Sequence, residues 1–165
     1  MSLYDDVYAA LREAEVRFVV VGGMAVVLSG HVRTTVDLDV VVDLAPEPAR
    51  RAVTALTELG FRPRVPVRAI DFADPQIRQQ WIDLKGMQVL SFHDPNHPLR
   101  EVDVFVTYPV EFERLLAAAV TTKVGNQTVL VASIDDLLDM KRSAGRPQDL
   151  ADVAALEALR DRGKP

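Results

Sequence analysis

Apolar and polar residues alternate along the chain with two different periods. Residues 4–15 (YDDVYAALREAE) set Val7, Ala10, Leu11 and Ala14 at helical spacing behind two aspartates, which predicts an amphipathic helix. Arg17–Val21 is a short β-branched run and predicts a buried strand ended by Gly22-Gly23. A short helix over 24–30 follows, stopped by Gly30, and Val36–Asp43 (VDLDVVVD) predicts a second strand. Pro46–Leu59 is expected to be helical with Gly60 as its stop, and Phe61–Val67 extended. Asp74 caps a helix from Pro75 to about Leu84; a strand follows over Met87–Phe92, a loop over 93–98, and a strand over Glu101–Thr107. Pro109–Ala119 predicts a helix, and residues 120–131 a hairpin through Gly125-Asn126. Ser133 caps a helix reaching Ala144, Gly145-Arg146-Pro147 breaks it, and Gln148–Arg162 is a last helix. Strands mixed with helices argue an α/β or α+β domain, with the helical pair over about 133–162 as a small annex.

Length and composition narrow the picture. The 165 residues are expected to form one domain over 1–165, with 48% hydrophobic and 26% charged residues, a globular mix. Cysteine is absent, which excludes a disulfide scaffold, a thiolate metal site and a cysteine nucleophile. The net charge of −5 disfavours non-specific binding of nucleic acid, although Arg62, Arg64 and Arg68 form a local basic cluster. The acidic first residues lack a signal-peptide apolar core, and no apolar run nears the roughly 20 residues of a membrane span. A soluble cytoplasmic protein is the expectation, with no membrane partner.

The chemistry concentrates in two acidic strands. Gly22-Gly23 is followed, after thirteen intervening residues, by Asp37-Leu38-Asp39. Alternation puts Asp37 and Asp39 on one face with Cα atoms ~6.6 Å apart. Two carboxylates among Val and Leu repel each other and resist desolvation, and a divalent cation resolves both costs. Hard oxygen donors without Cys or His suit Mg²⁺ or Mn²⁺. Read alone, Asp-x-Asp more often marks a solvated edge strand. The double glycine between a strand and a helix points instead to a backbone approached by phosphate, although neither a dinucleotide fingerprint nor a P-loop is present.

Two-metal phosphoryl chemistry takes a third carboxylate from a neighbouring strand. Asp71 fits local capping, and Asp83 fits the solvent side of a helix beside Trp81. Asp103 sits in EVDVFV, where Val102, Val104 and Val106 share one face and Asp103 and Phe105 the other. Asp103 is the choice.

These residues resemble the nucleotidyltransferase superfamily related to DNA polymerase beta: an apolar strand, Gly-Gly or Gly-Ser, apolar-Asp-apolar-Asp, and a later strand with a third acid. Within it, GGMAVVLSGHVRTTVDLDVVVD (22–43) and KRSAGRPQDLADVAAL (141–156) resemble the AbiEii-like nucleotidyltransferases, toxin components of type IV toxin–antitoxin pairs. The segment 60–98 carries none of the motifs. The resemblance implies a nucleotidyltransferase-like mixed sheet flanked by helices. It implies that Asp37, Asp39 and Asp103 hold Mg²⁺ or Mn²⁺ and that Asp103 takes the proton of an attacking hydroxyl. Gly22 and Gly23 would face the phosphates of an NTP, where many relatives carry Ser at the second position. Arg33 and Thr35 would lie near the phosphates or brace the loop. Lys141 would meet the triphosphate as a point charge.

In the tail, Asp149 and Asp152 stand at i, i+3 after Arg146. They read either as capping and dipole chemistry or as side chains that order Lys141 or Arg33. His93 and His97 share no helix face across Asp-Pro-Asn and read as turn chemistry, and Ser29, Ser91 and Trp81 read as structural. The expected activity is transfer of an NMP from an NTP to the hydroxyl of a small molecule, a protein or RNA, with an antitoxin as a possible partner. The alternative is a non-catalytic nucleotide- or partner-binding module. Apolar positions on the last helix leave a homodimer open.

Overall fold

The computed structural model describes residues 2–164. In chain order the elements are α1 (Asp5–Glu13), β1 (Phe18–Val21), α2 (Gly22–Leu28), β2 (Leu38–Val42), α3 (Pro46–Glu58), β3 (Arg62–Pro63) and a 3-10 turn over Ala69–Ala73. Then come α4 (Pro75–Lys85), β4 (Val89–His93), β5 (Glu101–Phe105), α5 (Phe112–Ala118), β6 (Val120–Val124), β7 (Gln127–Val131), α6 (Ile134–Ala144) and α7 (Pro147–Arg162).

Among the described residues the seven strands form one sheet in the order β3-β4-β5-β2-β1-β7-β6. It is mixed: β1 runs antiparallel to β2 and parallel to β7, while β2 runs parallel to β5. The end of β1, the start of β2 and the end of β7 therefore meet at one edge of the sheet. The expected mixed sheet flanked by helices is what forms.

Strand alternation divides the two faces. Leu38, Val40, Val102, Val104, Leu90 and Phe92 are fully buried on one face. Each such side chain contributes about 1.5–3 kcal/mol by leaving water. Asp39, Asp103 and Ser91 occupy the other face. Helix α1 lies on α3 and β7, α3 on β2 and the 3-10 turn, and α2 on β1 and β2; α6 contacts α2 and packs along α7.

Most element ends follow local chemistry. The Asp74 carboxylate accepts from the Gln76 and Ile77 amides, and the Ser133 hydroxyl accepts from that of Asp136. Gly86 and Gly145 close α4 and α6 in the left-handed region.

Five expectations need correction. Gly22-Gly23 opens α2 rather than preceding it, because Gly22 at φ +66° turns the chain from strand into helix. The second strand begins at Leu38, two residues later than expected. The extended stretch 61–67 pairs only at Arg62–Pro63, since Pro63 and Pro66 lack ladder donors. Helix α5 starts at Phe112, where the Glu111 carboxylate caps the Glu113 and Arg114 amides. The break between the last two helices is Gly145-Arg146 alone, because Pro147 already sits in the first turn of α7. Among the described residues no helix is long and apolar enough to cross a membrane.

Candidate active site

A single transverse row of the sheet carries the acids. Asp39 on β2 pairs in register with Asp103 on β5, Asp103 pairs with Ser91 on β4, and Val21 flanks Asp39 on β1. Gly22 follows Val21 directly. A Cβ there would lie 2.6 Å from Asp39 Cγ, so only glycine lets the backbone pass the carboxylate. At Gly23 a Cβ would come within 2.8 Å of Thr35 Oγ1 and would run into the Arg33 guanidinium. The double glycine is thus explained twice over, by the carboxylate on one side and the Arg33–Thr35 loop on the other.

Burial makes these acids reluctant to ionise. The Asp39 carboxyl is pushed up to about 7, first by desolvation and then by Asp103, against Lys141 and the Gly23 amide. Asp103 is raised by its own desolvation and by Glu101 and Asp37, while the Ser91 hydroxyl holds it down. Asp37 is raised mainly by desolvation and by Glu101, with Arg64 opposing. It is exposed and precedes the strand that carries Asp39.

Above the row lies a cleft of about 620 Å³. Gly22, Gly23, Arg33, Thr35, Asp37, Asp39, Asp103, Lys141, Arg146 and Asp149 all line it, from both halves of the chain. Asp152 stands behind this wall. Lys141 Nζ lies 3.3 Å from Asp149 Oδ1 and 3.0 Å from Asp152 Oδ2, and Arg33 Nη1 lies 3.5 Å from the same Asp152 oxygen. Asp149 also accepts from the Arg146 amide at 3.1 Å and Nε at 2.7 Å in a capping box. Burial alone would raise its carboxyl, yet Arg146 and Lys141 hold it below the usual range. Both readings of the tail apply together: Asp149 caps α7 and fixes Lys141, and Asp152 joins Lys141 to Arg33.

The donor set fits a divalent cation of the Mg²⁺ or Mn²⁺ type. Among the described residues Asp103 Oδ1 is buried with no hydrogen-bond partner, and Asp39 beside it is a second hard oxygen donor short of counter-charge. Among the described residues no three His, Cys, Asp or Glu side chains are already gathered as a metal-binding group. Asp37, one residue before β2 begins, reaches the cleft but not the register row of Asp39 and Asp103.

Other candidates fall away from the cleft. His97 is exposed in the 93–98 turn, and His93 ends β4. Asp83 is exposed and accepts from Gln79, and Trp81 is buried in the core, both as expected, whereas Asp71 pairs with Arg68 and caps nothing among the described residues. Arg64 is paired with Glu101 and Arg68 with Asp71, while Arg62 donates to backbone carbonyls. Sequence reasoning missed three neighbours. Ser91 became visible only through its register with Asp103. Phe105 and Gln148 line the cleft, and Gln148, with its amide oxygen toward Arg33, accepts from Nη2 at 3.1 Å. Phe105 was detectable by its alternation with Asp103.

Three solved structures share the fold. The chain is similar to the lincosamide antibiotic adenylyltransferase LnuA, in a lincomycin-bound crystal structure, at 13% identity and TM-score 0.61, over 92% of each chain. It is similar to an antigenic nucleotidyltransferase-like protein from Paracoccidioides brasiliensis at 18% identity and TM-score 0.57, over 93% of this chain and 74% of that one. It is also similar to the antibiotic-resistance factor ANT(2'')-Ia at 14% identity and TM-score 0.57, over 95% of this chain and 86% of that one. A comparison with curated proteins gave no match. A family model spans residues 4–162, and by it the chain belongs to the family "Nucleotidyltransferase of unknown function (DUF6036)".

Proposed function

We propose that the chain transfers an NMP from an NTP to the hydroxyl of a small-molecule acceptor, forming the new P–O bond as the α–β anhydride breaks and pyrophosphate leaves, with Mg²⁺ or Mn²⁺ held by Asp39, Asp103 and Asp37. The observation that carries this reading is the in-register pair Asp39–Asp103 beneath a cleft whose opposite wall carries Lys141 and Arg146. A bound cation would neutralise the acids and the developing phosphate charge. Lys141 sets a fixed positive charge over the phosphates, and its two carboxylates keep the ammonium in place. Gly22 and Gly23 leave the floor open beside Asp39. Asp103, whose Oδ1 is unpartnered, accepts the acceptor's proton, and Ser91 tunes how readily it does so.

A small-molecule acceptor is favoured over RNA because the basic cluster Arg62, Arg64 and Arg68 is spent on internal partners. Two fold neighbours, the lincosamide antibiotic adenylyltransferase LnuA and the antibiotic-resistance factor ANT(2'')-Ia, point the same way. The Lys141–Asp149–Asp152 network supports the narrower AbiEii-like reading, in which the chain is the toxin of a toxin–antitoxin pair. We read residues 1–165 as one catalytic unit, with α6 and α7 as the wall of its cleft.

The test is thermal unfolding with each of the four common NTPs, with and without Mg²⁺, for wild type and Asp37→Asn/Asp39→Asn. An NTP at about 100 times its dissociation constant adds ~2.7 kcal/mol. A metal-dependent shift absent from the variant supports the reading. No shift with any NTP sinks it and leaves the partner-binding module.

A further inference from the structure

Upstream of Leu38 the ladder between β2 and β5 stops, and a tyrosine hydroxyl takes its place. Tyr4, fully buried at the start of α1, sets its Oη 2.6 Å from the Val36 carbonyl and 2.9 Å from the Glu101 carbonyl. Either oxygen can take its proton, and Oη in turn accepts from the Glu101 amide at 3.0 Å. The side chain therefore bridges the residue before Asp37 to the residue two before Asp103.

The ring is itself clamped. The Arg100 guanidinium lies over it, 5.7 Å from its centroid, and over Phe61 at 4.9 Å. Arg100 is buried and paired with Asp94 at 3.0 Å and with Asp6, on the same helix as Tyr4's own turn, at 2.5 Å. A buried Arg fork with two carboxylates is a rigid support.

Asp37 needs such support. Among the described residues no hydrogen bond or ion pair fixes its side chain, and it lies outside the strand. Its place relative to Asp39 and Asp103 is set by the backbone at Val36. We infer that Tyr4 is a positioning residue, which fixes the third carboxylate of the site by holding the Val36 carbonyl against the start of β5. This rests on the proposed metal role of Asp37.

The test is Mn²⁺ binding to the full chain, followed by the loss of the free-ion electron paramagnetic resonance signal, in a double-mutant cycle. Tyr4→Phe is expected to weaken Mn²⁺ by about tenfold, the low end for loss of an outer-shell support. Asp37→Asn weakens it as well, and adding Tyr4→Phe to Asp37→Asn changes nothing further. Tyr8→Phe is the control: that buried hydroxyl has no hydrogen-bond partner among the described residues, and its removal leaves Mn²⁺ binding unchanged. Where Tyr4→Phe fails to fold, Arg100→Lys keeps the hydroxyl but gives up the fork, and it weakens Mn²⁺ severalfold only while Asp37 is present. Unchanged binding in folded Tyr4→Phe or Arg100→Lys overturns the inference, as do losses that simply add to that of Asp37→Asn. Wild type that binds Mn²⁺ no better than Asp39→Asn overturns the metal reading itself, and this inference with it.

Discussion

Asp39 and Asp103 stand opposite each other on adjacent parallel strands, and each raises the cost of charging the site. The folded chain holds the Asp39 carboxyl at about 7, above the ordinary value of 3.8. The protonated form is thus favoured by folding. Its stabilisation is complete below the ordinary value and is lost as pH rises from about 4 through about 7. In metal-free solution Asp39→Asn is expected to unfold at a higher temperature than wild type at pH 8, and the difference shrinks toward pH 4. Scanning calorimetry at several pH values checks this; a constant difference contradicts it.

Gly22→Ala puts a Cβ against the Asp39 carboxylate at φ +66°. The expected cost is about 1–3 kcal/mol from the strained backbone, read as a lower urea midpoint. The metal-dependent NTP shift should vanish at the same time. A variant as stable as wild type would contradict the close approach at Gly22.

Lys141→Ala leaves Asp149 and Asp152 buried without their shared ammonium. Removing one side of a buried ion pair costs roughly 3–5 kcal/mol. The partner variant Lys141→Ala/Asp152→Asn should recover part of that loss, since one uncompensated charge is gone. Urea unfolding of the single and double variants measures both effects.

Ser91→Ala removes the hydroxyl that holds the Asp103 carboxyl down. That carboxyl then rises further, so the midpoint of metal-dependent NTP protection should move to higher pH, by up to about one unit for ~1.4 kcal/mol of lost interaction. A profile unchanged from wild type places Ser91 outside the site's electrostatics.

The legible part of this molecule was the part encoded locally. Asp74, Ser133, Gly86 and Gly145 act on their own neighbours, so the helix ends they set were readable from sequence. The Asp37–Asp39 pair and Asp103 stood out because each is an acid among β-branched residues. What alternation could not supply was register: it places Asp103 on a face, but not opposite Asp39 or beside Ser91. The start of β2 was misread for the same reason, since Tyr4, far away in sequence, takes the Val36 carbonyl that a longer ladder would have used. The double role of Asp149 needed the α6–α7 crossing, which no spacing within one helix reveals.

The two walls of the cleft come from stretches far apart in the chain. Asp39 and Asp103 sit on the sheet before residue 104, whereas Lys141 and Arg146 come from α6 and the turn into α7. The cleft is whole only while α6 and α7 are docked, so a loosening of that packing would open the site without touching either acid.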